Sequence, residues 1–328
     1  MGETLYQIGE SELLHRLARF APTGQFDDDT ARIYTGGKDL LINTDVLVEG
    51  IHFCKDTTTA KDIGWRCVAA NISDLAASGV DKILGITVGL IAPSDTPWDW
   101  VEEVYTGIEE ALKQFGGELL GGDCSQGEQR LLAITALGTV GPARLHRSHA
   151  LPGDSLVVSG PHGLSRLGLA LLLCEPQVQA VQLPEKLKQA AIDAHQHPQP
   201  SLKALRSLEA CKPKELAWRA GGTDSSDGLL EAVKNLCKSS NCRAIIDPTS
   251  LPRASEWPLG SPWDNWCLNG GEDFELVLSL PPKWATAWLN AYPSSQAIGV
   301  MEMGPAQVLW TDNREEVNSS PDFQHFQQ

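Results

Sequence analysis

No run in this 328-residue chain stays apolar for the roughly 20 residues that a membrane-crossing helix needs, so no membrane role is expected. Positive charge is scarce. The 26 lysines and arginines face 42 acids, a formal net charge of −16. A duplex binder needs a basic face, so nucleic acid is not expected as a partner, and an anionic ligand would have to arrive with metal ions. Cysteines occur at 54, 67, 124, 174, 211, 237, 242 and 267, without a CxxC pair. With no signal peptide ahead of them they read as reduced thiols, and the expected compartment is the cytoplasm. The chain also lacks a GxxxxGK[ST] loop, a GxGxxG turn after a strand, the HRD and DFG motifs, HExxH and GxSxG. A P-loop or protein-kinase route to a nucleotide is therefore unsupported.

With 42% hydrophobic and 21% charged residues, the composition is that of a soluble globular protein, and the length suggests two domains. The chain is organised around Leu40 to Phe53. An apolar run over 40–42 reads as a buried strand that ends in Asn43-Thr44-Asp45, with Glu49 and His52 close behind. Acids delivered to a strand end suit a functional cleft, although Asp45 alone could serve only to start a turn. The same event recurs. Asp27, Asp28 and Asp29 precede a short apolar run, Gly121-Gly122-Asp123 follows a strand starting at 118, and Asp224 and Asp227 sit in a glycine-flanked segment before a helix over 229–238.

A helix is expected over 3–20, with Leu13, Leu14 and Leu17 on one side, and another over 61–79. In the second, Asn71, Asp74 and Ser78 share a face lined by alanines, which suits a packed polar stripe better than a solvated one. Strands are expected at 83–90, 131–140 and 156–159, a helix at 98–115 and another at about 163–173. An alternating strand is expected at 274–280, after Asn269-Gly270-Gly271-Glu272-Asp273. A proline- and histidine-bearing connector with local positive charge follows Gly141 and puts a domain boundary near 150. Residues 175–200 read as a helix with loops. No internal repeat is visible.

The recurring acids, Asp29, Asp45, Asp74, Asp123, Asp224 and Asp227, are hard oxygen ligands without cysteine or paired histidine. Such a set favours Mg²⁺. Several ions bound with a polyphosphate would offset the mutual repulsion, and Arg147 is the expected direct cation.

Seven segments carry a resemblance, in order along nearly the whole chain: DDTA at 28–31, NTDVLVEGIHF at 43–53, AANISDLAASG at 69–79, GGD at 121–123, HRS with PGD at 146–154, SDGL at 226–229 and GGEDFEL at 270–276. Together they resemble the thiamine-monophosphate kinases, with VEG-HF setting these apart from aminoimidazole ribonucleotide synthetase, selenophosphate synthetase and the hydrogenase-maturation dehydratase. The resemblance implies an α/β fold of the aminoimidazole ribonucleotide synthetase type in two domains. Residues 1–150 would bind ATP and Mg²⁺ and form a homodimer through paired sheets, and 151–328 would complete the site. It implies transfer of the γ-phosphate of ATP to thiamine monophosphate. Asp29, Thr44, Asp45, Asp74, Asp123, Asp224 and Asp227 would hold Mg²⁺; Tyr105, Gly122, Asp123, Arg147 and Ser226 would hold ATP; His52, Glu272 and Phe323 would hold the substrate. Asp45, Asp224 and Arg147 would carry the catalytic charge. Three residues depart from the family pattern: Asp27 where glycine is usual, Asn43 for serine and Ser225 for an aliphatic residue. Other readings remain open: a related ATP-dependent enzyme with a different phosphorylated substrate, a non-catalytic Mg-ATP-binding protein, or a Mg²⁺-dependent phosphohydrolase.

Overall fold

The computed structural model describes residues 5–20, 22–25 and 27–317. Its first sheet is built from β1 (Ala31–Ile33), β2 (Asp39–Val48), β3 (Val80–Ala92), β4 (Glu118–Gln126) and β5 (Leu131–Val140), in the order β1-β2-β5-β3-β4. All neighbours are antiparallel except β3 and β4. A parallel pair needs a crossover, which α3 (Trp98–Phe115) supplies. Before the sheet, α1 (Leu5–Leu17) leaves Leu14 44% and Leu17 40% exposed and Leu13 half-buried, so its expected apolar side is only partly covered by the described chain.

Between this sheet and the second half lies α2 (Ala60–Ala77). Thr59 opens it with a capping box: its hydroxyl accepts from the Asp62 amide at 3.2 Å, and the Asp62 carboxylate accepts from the Thr59 amide at 2.9 Å. Residues on every side of α2 are buried, which explains its alanines and its one close glycine contact. A Cβ on Gly64 would lie 1.9 Å from the Val104 carbonyl on α3, and one on Gly107 would lie 1.9 Å from the Lys61 carbonyl. The two helices therefore touch backbone to backbone.

The second sheet has the order β11-β8-β10-β6-β9-β7, from β6 (Ser155–Val158), β7 (Gly221–Asp224), β8 (Arg243–Ile246), β9 (Leu276–Leu280), β10 (Gln296–Glu302) and β11 (Val308–Trp310). Around it lie α4 (Leu164–Leu172), α5 (Pro176–Gln179), α6 (Glu185–Gln196), α7 (Leu202–Cys211), α8 (Leu229–Ser240), α9 (Ser261–Asn269) and α10 (Pro282–Ala291). One apolar core runs through both halves: Ile72, Leu75, Ile86 and Ile134 from the first join Leu205, Leu278, Trp284 and Trp288 from the second.

Three expectations need correction. Gly121-Gly122-Asp123 does not follow its strand but lies within it, because β4 stays paired with β3 as far as Gln126. Asn43-Thr44-Asp45 does not end a strand, because β2 continues to Val48. Its odd-numbered residues face α2, where Asn43 finds polar partners, so the strand tolerates a polar centre. The strand expected at 274–280 starts at Leu276 and is buried on both faces. Phe274 is still in a turn, at φ 52°.

Candidate active site

Asp29, Asp74 and Asp224 each offer a carboxylate oxygen, and these atoms all lie within 4.8 Å of one another. They come from three places: the turn before β1, the last turn of α2 and the end of β7. Each is held by its neighbours. Asn43 donates to Asp74 Oδ2 at 2.7 Å and to Asn71 Oδ1 at 3.2 Å. Ser73 donates to Asp224 Oδ2 at 2.5 Å and Ser226 to Asp224 Oδ1 at 2.9 Å. Arg147 pairs with Asp29 through Nη2 and donates from Nε to the Thr223 hydroxyl at 3.1 Å; that hydroxyl in turn donates to Asp29 Oδ1 at 3.1 Å. The polar stripe of α2 is thus packed, with Asn71 and Ser78 fully buried and Ser78 bonded to Thr30 at 2.9 Å.

The cluster is electrostatically frustrated without a cation. Burial, opposed by Arg147 but aided by Asp224 and Asp28, pushes Asp29 up to about 8. Burial and the charges of Asp45, Asp224 and Asp29 raise Asp74 well above the carboxylate range. Asp45 is pushed up to about 6 by burial and then by Asp224 and Asp227, which sets it beside the same cluster. Asp29 Oδ2 is buried without a hydrogen-bond partner. A buried, unpaired carboxylate oxygen costs several kcal/mol unless something fills the gap, and an all-oxygen acidic set fits a hard divalent cation such as Mg²⁺.

The remaining expected residues fall elsewhere. Thr44 turns its hydroxyl to the opposite face of the sheet, 2.8 Å from the Thr135 hydroxyl. Asp227 is exposed just beyond Asp224. Gly122 and Asp123 are on β4, every residue of which is exposed. Gly122 pairs with Val88, Val88 with Ile134 and Ile134 with Asp45. Three strand spacings, about 14 Å, therefore separate Gly122 from Asp45 along the sheet. Tyr105 is half-buried in a cleft of about 420 Å³ between α3 and the β3–β4 edge, with Leu90, Trp98, Val101 and Cys124. Phe323 lies outside the described residues. His52 accepts from the Val48 amide through Nδ1 at 3.1 Å, which leaves Nε2 to carry the proton. Glu272 pairs with Arg66 at 2.6 Å.

Several residues here escaped the sequence reading. Asp28, with its side chain 1% exposed, accepts from Arg144 at 3.2 Å and from the Arg147 amide at 3.3 Å, so it shapes the loop that presents Arg147. The run of three acids marked the place without saying which acid did what. Ser73, Thr223 and Arg66 carry no signal of their own in the sequence. Asp154 is structural: Arg219 grips it with two bonds of 2.6 and 2.7 Å.

Two family models divide the chain: the AIR synthase related protein N-terminal domain matches residues 27–140 and the C-terminal domain residues 152–311. Fold and acidic cluster thus define a member of the AIR synthase related class. Within that class, the thiamine-monophosphate kinase of Prochlorococcus marinus is 57% identical over 326 residues, covering 99% of this chain and 98% of the relative. That of Synechococcus elongatus is 42% identical, covering 98% of each. The solved structure of AaThiL complexed with AMPPCP and TMP matches at TM-score 0.84 and 27% identity, over 99% of both chains. The chain belongs to the thiamine-monophosphate kinase family.

Proposed function

We propose that this protein transfers the γ-phosphate of ATP onto thiamine monophosphate, giving thiamine diphosphate and ADP. The observation that carries the reading is the convergence of Asp29, Asp74 and Asp224 within 4.8 Å beside Arg147, in a chain 57% identical to a kinase of that name. These three, with Asp45 and Asp227 at their margin, would hold Mg²⁺. When bound, the metal neutralises two anionic phosphates and draws them into line.

The chain's own part is position and charge. Arg147 is oriented by Thr223, Asp29 and the Asp28-braced loop toward the cluster, where a γ-phosphate would sit. The acceptor is itself a phosphate monoester with a second pKa of about 6, already mostly a dianion at neutral pH. No side chain has to remove a proton. His52 and Glu272 then orient the thiamine end, with Phe323 as a further candidate, and no phosphoenzyme forms.

The strand register supports a site built by two chains. Gly122, Asp123 and the Tyr105 cleft, suited in size and apolar character to a nucleotide base, sit about 14 Å across the sheet from Asp45. Among the described residues only one face of this sheet is covered, by α2 and α3; Val46, Leu119 and Leu120 are 42%, 46% and 52% exposed. A second copy laid on that face and edge would bring its Gly122, Asp123 and Tyr105 to this chain's acids. Residues 1–150 are then the nucleotide and dimer domain, with 151–328 closing the site. We place the activity in the cytoplasm, consistent with eight free cysteines.

The test is incubation with ATP, Mg²⁺ and thiamine monophosphate, followed by separation of the thiamine phosphates. Thiamine diphosphate in step with ADP is expected. ADP released equally without thiamine monophosphate would overturn the reading in favour of a phosphohydrolase.

A further inference from the structure

We propose that Arg66 is a positioning residue that sets the thiamine monophosphate half of the site and leaves the ATP half alone; this rests on the function proposed above. Arg66 stands on α2 and its side chain is 3% exposed. Its Nη2 donates to Glu272 Oε1 at 2.6 Å and to the His52 carbonyl at 3.4 Å. Its Nη1 donates to the His195 carbonyl and lies 3.4 Å from His195 Nδ1. One guanidinium therefore ties together the loop after β2, the end of α6 and the turn before β9. Two of these carry residues assigned to the thiamine substrate. Among the described residues, none of its bonds reaches Asp29, Asp74, Asp224 or Arg147.

The turn that carries Glu272 needs such a tie. Gly271, Glu272 and Phe274 have φ of 67°, 55° and 52°, in the left-handed region that side chains other than glycine rarely adopt. The Glu272 amide is anchored to the Ser226 carbonyl at 2.7 Å, and its side chain is anchored by Arg66. Burial acts to raise the pKa of Glu272, but the Arg66 guanidinium holds it below its usual value, so the carboxyl stays an anion. His195 is itself pushed down to about 4 by burial and Arg66, and is neutral here. With 36% of its side chain exposed, Glu272 still offers an ionised face to a ligand. The thiazolium ring of thiamine monophosphate is a cation, the kind of group that such a fixed carboxylate recognises.

The forked shape of the guanidinium matters as much as its charge. A lysine ammonium is a single point charge and cannot serve Glu272 and two carbonyls together. Arg66→Lys should therefore fold yet place Glu272 loosely.

The experiment compares wild type, Arg66→Lys, Arg66→Met and the double variant Arg66→Met/Glu272→Gln, varying each substrate separately. KM for thiamine monophosphate should rise about tenfold in Arg66→Lys and further in Arg66→Met, the scale of a lost charged hydrogen bond. KM for ATP should stay within about twofold, kcat should fall less than KM rises, and the double variant should be no worse than Arg66→Met. An Arg66→Lys protein with a lower Tm but unchanged KM for thiamine monophosphate would reduce Arg66 to a structural brace and overturn the proposal, as would an equal rise in both KM values. Should Arg66→Met not fold, the Arg66→Lys values decide alone. The wild-type control separates the two claims: no thiamine diphosphate from it would overturn the function itself, and this proposal with it.

Discussion

Asp45 and Asp29 carry the proposed cation site at the scale of single residues. Asp29, its side chain 2% exposed, and the half-buried Asp45 lie near other carboxylates, and desolvation with that repulsion holds both above ordinary carboxylate pKa values, a strain that a bound cation would relieve. Asp45→Asn keeps the shape and removes a charge. It should lower kcat by about 100-fold or more while raising the Tm of the metal-free protein by about 2 °C. Assays at saturating Mg²⁺ and thermal melts in chelator check both; near-wild-type turnover would remove Asp45 from the metal site. His52 is different, since its Nδ1 is already engaged by a backbone amide. His52→Asn should raise KM for thiamine monophosphate more than it lowers kcat, and γ-³²P-ATP without acceptor should leave no label on the protein. The acids of this site were legible because carboxylates next to glycine, at an expected strand end or on a polar helix face recur in the sequence. Their supports were not: Arg66 meets Glu272 across 206 residues, and nothing local announces that meeting. Two of the departures from the family pattern become intelligible. Asn43 uses its amide to hold Asp74 and Asn71, and the Ser225 hydroxyl accepts from the Glu275 amide at 3.1 Å. Nothing in the structure explains Asp27.

Helices α2 and α3 show how an element positions a site it only partly forms. Their backbones meet at Gly64 and Gly107, which lets α2 lie flat under the first sheet and brings Asp74 to Asn43. A Cβ on Gly64 would meet a carbonyl oxygen that cannot turn aside. Gly64→Ala should cost about 3 kcal/mol or more, seen as a lower guanidinium midpoint at unchanged slope; a loss below about 1 kcal/mol would show that the helices can part cheaply. The N-terminus of α4 is held by Asp273, which accepts from the Gly163 and Ser165 amides at 2.7 and 3.2 Å. Burial pushes this carboxyl up to about 7. Because the folded value lies above the unfolded one, its contribution to stability falls as pH rises from about 4 to 7, then levels. Asp273→Asn keeps an acceptor and cannot ionise, so its Tm advantage over wild type should grow across that window; a constant difference would contradict the assignment. The helices expected over 61–79, 98–115, 163–173 and 229–238 are present, while α7, α9, α10, β8, β10 and β11 went unread. The 274–280 segment misled because its alternation reflects two buried faces: Glu275 is bonded to Ser159 and Ser201, and Ser279 to Asp154 at 2.8 Å.

At the scale of the whole molecule, the exposed β4 edge and the exposed Val46, Leu119 and Leu120 support the proposed second chain. Light scattering should report twice the 35.5 kDa chain mass at micromolar concentration. The change of composition near residue 150 falls between the two family models, which match 27–140 and 152–311. That Asp123 and Asp45 lie three strands apart in the sheet was not legible in the sequence, because motif order says nothing of strand order. The most direct measurement is thiamine diphosphate formation by a purified heterodimer carrying Asp123→Asn in one chain and Asp224→Asn in the other. Each homodimeric variant should be nearly inactive. In the heterodimer one site collects both substitutions and the other collects neither, so about half of wild-type turnover should return. A heterodimer as inactive as its parents would show that each chain builds its site alone and would contradict the two-chain phosphoryl-transfer site.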